Sequence, residues 1–290
     1  MDQNLIRFFD LRPGMTIAAR YTVVAVHRQG GLSTAYHVRT LDGGLERELQ
    51  IFPSELFEGA SQLEDFSERM GVWRRLDHEA VLGVHECFEL GTHQAVVTDL
   101  PAGRSLRAVL NDEERLEPER VTALGVQLLS GLAAIHAAGL VHGDIKPYTI
   151  HLGGAAGDER AVLIDGGVTT ALWTAKDLGD KTMLIGTPFY APLEQFGGDP
   201  PTVDSDLYNL ASVLFECLAG VLPWRGRSYL EVFQAKMDKA PPAVARVAPG
   251  VGVPAELEAV IARGCTAVRK ERYGDAAQFL EALADVASVR

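Results

Sequence analysis

The hydrophobic pattern of this 290-residue chain changes period once, near Ser105, and that change limits the folds open to it. Before it, short β-branched runs alternate with turn residues: YTVVAV, TAYHVRT, ERELQIF, HECFELG and HQAVVTDL. One helix interrupts them, from about Leu63 to Leu76, with Leu63, Phe66, Met70, Trp73 and Leu76 at helical spacing. After it the pattern is mostly helical, including VDSDLYNLASVLFECLAGVLPW and DAAQFLEALADV. No repeat or low-complexity tract occurs, only a Pro/Ala-rich loop over 240–254. The order predicts an α+β fold in two lobes, the first small and β-rich, the second larger and mainly helical, with a ligand cleft between them. The boundaries read as an N-terminal extension over 1–20, an N-lobe over 21–98, a hinge over 99–104 and a C-lobe over 105–288.

Composition narrows the function. At 47% hydrophobic residues the chain can bury a sizeable core. A net charge of −12 and a pI of about 5.1 argue against a general nucleic-acid or anionic-membrane binder. Three scattered cysteines, Cys87, Cys217 and Cys265, predict a reducing compartment without a disulfide framework or zinc site. The N-terminus has no apolar run suited to a signal peptide. The longest apolar stretch, 121–141, carries Thr122, Gln127, Ser130 and His136, so it predicts a buried helix rather than a membrane span. A cytoplasmic globular protein is the expectation.

Five motifs then occur in order: HGDIKP (142–147), LIDGG (163–167), GTPFYAPLEQF (186–196), DSDLYNLASVLFECLAGVLPW (204–224) and RKERY (269–273). With them the chain resembles the bacterial serine/threonine protein kinases of eukaryotic type, over roughly 15–285. The resemblance implies the two-lobed protein-kinase-like fold, an ion pair between Glu194 and Arg272, and a buried Asp206 at the start of the long central helix. It also implies Asp144 as general base, Lys146 as the cation beside the transferring phosphate, Thr187 as a clamp on both, and Asp165 as a metal ligand. Gly30, Gly31, Gln50 and Asp99 fall at the positions of the nucleotide cleft.

Phosphoryl transfer depends on placed charges, and several are changed. The glycine-rich loop reads RQGGLS (28–33), with Arg28 and Ser33 in place of the outer glycines. Gln50 stands where the phosphate-gripping lysine belongs, and no lysine precedes Lys146. Glu48 shares Gln50's strand face and takes the place of the alanine that roofs the adenine. Arg69 replaces the lysine's glutamate partner. Thr149, the second candidate metal ligand, replaces an asparagine and is shorter and weaker toward Mg²⁺. Gly143 replaces the arginine that reads activation-loop phosphorylation, so Thr169, Thr170, Thr174 and Thr182 read as solvated loop residues. Gly166 replaces the aromatic of the metal-binding turn.

Losing one placed charge stabiliser costs about 10²–10³ in rate. The sequence therefore predicts a pseudokinase, a protein-kinase-like domain with little or no phosphotransfer that binds or regulates a protein partner. No cofactor is expected. The alternative is an active divergent serine/threonine kinase using ATP and Mg²⁺; a small-molecule phosphotransferase ranks third, prompted by His-Gly-Asp. One contact is predicted in particular: an inverted latch in which Arg69 on the helix grips Glu48 on the strand.

Overall fold

The structure, a computed structural model, describes residues 11–29, 32–57, 59–155, 158–175, 189–226, 228–237 and 240–288. The chain divides into two compact units. The first reaches Asp77 and takes in Leu82–Pro101 and the segment from Ala171; His78–Val81, Ala102–Thr170 and the C-terminal remainder form the second.

In the first unit the β-branched runs become β1 (Thr16–Ile17), β2 (Tyr21–Gln29), β3 (Thr34–Thr40) and β4 (Glu46–Phe52). After α1 (Ala60–Trp73) come β5 (Val84–Leu90) and β6 (His93–Asp99). They make one antiparallel sheet in the order β1-β2-β3-β4-β6-β5. Alternation sends Tyr36, Val38, Leu49, Ile51 and Val97 to one face. There they form a core with Leu11, Ile17, Tyr21 and Val23, so residues ahead of Tyr21 belong to this core. On the other face Phe52 meets Phe66 of α1 at 5.3 Å between ring centres. The helix starts three residues earlier than its apolar stripe, which buries Phe66, Met70 and Trp73.

In the second unit β7 (Arg104–Ser105) leads to α2 (Leu106–Glu113) and α3 (Pro118–Ala137). After the 142–149 loop, β8 (Ile150–Gly153) and β9 (Arg160–Leu163) complete a small sheet with β7, and α4 (Val168–Ala175) follows, its residues from Ala171 belonging to the first unit. The chain ends through α5 (Leu193–Phe196), α6 (Val203–Ala219), α7 (Tyr229–Lys236), α8 (Val244–Val247), α9 (Ala255–Gly264) and α10 (Ala276–Ser288). A capping box joins Thr202 and Ser205 at the start of α6. Gly220, at φ 70°, ends that helix in the left-handed conformation, so the apolar run to Trp224 is not all helical.

Among the described residues, the one helix long and apolar enough to cross a membrane is α3. It packs against α10 and α6, and its Gly125 lies where a Cβ would stand 2.6 Å from Leu283 and 3.2 Å from Leu214. Each of its four polar interruptions has a partner in the same unit. Thr122 donates to the Pro118 carbonyl (2.8 Å), and Gln127 bridges the Glu159 carbonyl (3.0 Å) and the Ala161 amide (2.9 Å). Ser130 meets His78 at 3.2 Å, and His136 meets Asp206 at 2.9 Å. Such partners offset much of the cost of burying polar groups on a core helix, although His136 Nδ1 is buried without one. The three cysteines are free thiols.

Candidate functional site

The singled-out residues fall in both units: Gln50 and Asp99 in the first, Asp144, Lys146, Thr149 and Asp165 in the second. Gly30, Gly31, Thr182 and Thr187 lie outside the described residues.

In the first unit Glu48 and Gln50 do share one strand face, and the Gln50 amide donates to the Glu48 carboxylate at 3.1 Å. Both are buried, Glu48 with no exposed surface. The latch with Arg69 is overturned. Arg69 is exposed on α1, and the carboxylate is taken by Arg28, which donates from Nε (2.9 Å) and Nη2 (2.5 Å). His27 Nδ1 sits 2.5 Å from the same carboxylate. The cause is a β-bulge between Val26 and Arg28, which breaks the alternation of β2 and brings two consecutive side chains to one face. Arg28 pairs in register with Ala35, and Ala35 with Gln50, so the guanidinium reaches β4 across a single small residue. Burial alone would raise the Glu48 pKa; hydrogen bonds from His27 and Arg28, the Arg28 charge and the Gln50 amide hold it down at about 2. Asp99 is committed to its own sheet, 2.7 Å from His85 and 3.4 Å from Arg47.

In the second unit Asp206 accepts from the amides of His142 (2.8 Å) and Gly143 (2.9 Å), which fixes the start of the 142–149 loop. Lys146 donates to Asp144 at 2.6 Å. The Asp144 amide lies 3.3 Å from His142 Nδ1, and complete burial lowers the His142 pKa, which suits a neutral ring acting as acceptor. Thr149 is buried, and its hydroxyl is used inside the loop. It lies 2.7 Å from the Asp144 carbonyl and 3.1 Å from that of Lys146, and it accepts from the Lys146 amide at 3.1 Å. Asp165 has φ 62°, and the Gly167 amide ties its turn to the His142 carbonyl at 2.9 Å.

Gly143 has φ +86°, and a Cβ there would stand 2.4 Å from Thr170 Oγ1. Thr169 and Thr170 are not solvated loop residues. They lie in α4, Thr169 buried and Thr170 filling the space beside Gly143. The ion pair between Arg272 and Glu194 is present and bidentate, at 2.6 and 3.1 Å.

Several of these groups are already engaged within the protein. Where phosphate needs a cation the first unit has Gln50 and a buried carboxylate. The Thr149 hydroxyl is spent in its loop, and no group of three or more His, Cys, Asp or Glu side chains among the described residues could hold a metal.

The sequence of residues 29–282 matches the protein kinase domain. The chain belongs to that family. Its relatives include the serine/threonine-protein kinase PkaB of Streptomyces coelicolor, 33% identical over 83% of this chain and 57% of the relative. The serine/threonine-protein kinase PknL of Mycobacterium tuberculosis is 31% identical over 92% of this chain and 66% of the relative. The chain thus spans less than two thirds of the length of either. The solved kinase domain of Mycobacterium tuberculosis PknI matches with a TM-score of 0.73 at 23% identity, over 95% of this chain and 99% of that one. That likeness concerns the fold. The family is that of the bacterial serine/threonine kinases of eukaryotic type, with the expected two-lobed architecture.

Sequence reasoning marked Arg28 as a lost glycine and missed its new partner. It also passed over Lys236, a buried lysine in α7. The signal was there: Lys236 lies four residues after buried Val232, on the inward stripe of the helix.

Proposed function

We propose that this chain is a pseudokinase, a protein-kinase-like domain with little or no phosphotransfer that serves as a binding or allosteric module for a protein partner in the cytoplasm. The observation that carries it is the clamp on Glu48. At the positions where the family places an adenine-roofing alanine and a phosphate-gripping lysine, this chain holds a buried carboxylate, already paired with Arg28 and hydrogen-bonded to His27, and an amide bonded to it. A nucleotide would have to displace that ion pair and would find no lysine. No cofactor is assigned.

A second reading, an active but divergent serine/threonine kinase, draws on the retained Asp144–Lys146 pair at 2.6 Å and on Asp165. The kinases named among its relatives favour it as well. A ligand at a hundred times its dissociation constant stabilises a fold by about 2.7 kcal/mol. We expect no melting shift at millimolar ATP–Mg²⁺, and no radiolabel transfer to a generic protein, an aminoglycoside or choline. A saturable, metal-dependent rise with transfer to protein would overturn the proposal and establish the second reading.

A further inference from the structure

Lys236 is 1% exposed. Its nitrogen donates to two main-chain carbonyls, Phe189 at 2.8 Å and Ala191 at 2.6 Å. Around it stand three rings: Tyr208 with its centre at 5.2 Å, Phe196 at 5.6 Å and Trp224 at 5.8 Å. Among the described residues no carboxylate completes the box. The acid that faces it, Glu194, is held on both oxygens by Arg272, whose guanidinium also lies 4.7 Å from the centre of the Tyr208 ring. Cys265, the remaining titratable neighbour, is a fully buried thiol whose pKa burial pushes up to about 12. The Tyr208 hydroxyl is pushed well above its ordinary value by burial too, so both stay neutral.

A neutral amine has two N–H groups, and the site offers two carbonyls. An ammonium has a third N–H and a full charge, met only by ring faces. Rings can attract a cation, but a buried ammonium without a counter-ion still carries a large desolvation cost.

We propose that Lys236 is a proton-controlled latch, fastening the strap Phe189–Pro192 to α7 while its amine is neutral and loosening it on taking up a proton. Burial, the dominant influence, lowers the Lys236 pKa to about 7; the Arg272 charge adds to the fall, while the Glu194 carboxylate opposes it. The latch would then respond within the physiological range. The strap's Phe189 side chain is 41% exposed and its Tyr190 is buried against Glu216 at 2.6 Å, so release would free an aromatic pair now held in place.

The test is a titration of the whole chain carrying ¹³C at the lysine ε carbons, six in all. One resonance is expected to titrate near pH 7 and to be absent in Lys236→Met. Amide exchange of Tyr190 and Ala191, corrected for its intrinsic pH dependence, should lose protection by roughly tenfold per pH unit as pH falls toward about 7 and should level off below it. In Lys236→Met the corrected protection should not depend on pH. The lack of any lysine resonance titrating near pH 7, or the same pH response in wild type and variant, would overturn the latch. Should the variant fail to fold, the wild-type titration decides by itself.

Discussion

Removing Arg28 strips the guanidinium from a carboxylate that has no contact with solvent. The Arg28 side chain is 29% exposed while that of Glu48 is wholly buried, so Arg28→Ala opens the network from its outer edge. The Glu48 pKa falls from 4.5 to about 2 in the folded chain. At about 1.4 kcal/mol per tenfold change, the network contributes about 3 kcal/mol at neutral pH. Because the folded value is depressed, that contribution is fully present above pH 4.5 and is lost as pH falls through about 2. In Arg28→Ala, burial, the strongest influence on this carboxyl, is opposed only by His27 and Gln50, and the pKa should move above 4.5. The sign then reverses: the variant loses stability as pH rises from 4.5 toward 7. Urea unfolding at pH 7 should show a loss of about 2–4 kcal/mol, shrinking by pH 5. Arg28→Ala with Glu48→Gln should recover most of it, since no buried charge remains. A loss below about 0.5 kcal/mol at pH 7, or parallel pH profiles for wild type and variant, would refute the reasoning.

Asp206→Ala strands two buried amides and His136, and urea unfolding should register a loss of roughly 3–5 kcal/mol. Gly143→Arg, which restores the family's residue, places a side chain at φ +86° against Thr170. A melting-temperature drop equivalent to about 1–3 kcal/mol is expected, with no gain of transfer activity. The triple substitution Arg28→Gly, Glu48→Ala and Gln50→Lys removes the clamp and supplies the missing cation. Calorimetry should then detect ATP binding, which we do not expect of the wild type, and no binding would place the block in the second unit instead.

Much of this protein is determined by local sequence. Strand runs, the α3 and α6 patterns and the spacing of five motifs specify the family fold, because alternation, helical period and capping act within a few residues. The Arg272–Glu194 pair was legible for a related reason: its partners sit in motifs whose places in the fold are shared across the family. The missing lysine at Gln50 could also be counted from the register of β3 and β4. Which arginine would claim Glu48 could not. Strict alternation sends His27 and Arg28 to opposite faces, and only the bulge in β2, visible once the strands pair, turns both onto the carboxylate. Thr170 standing against the place of a Cβ on Gly143, and Lys236 meeting two carbonyls more than forty residues earlier in the chain, were decided in the same way. Such contacts depend on the path of the folded backbone, because a buried polar group takes whatever partner the packing brings within hydrogen-bond reach.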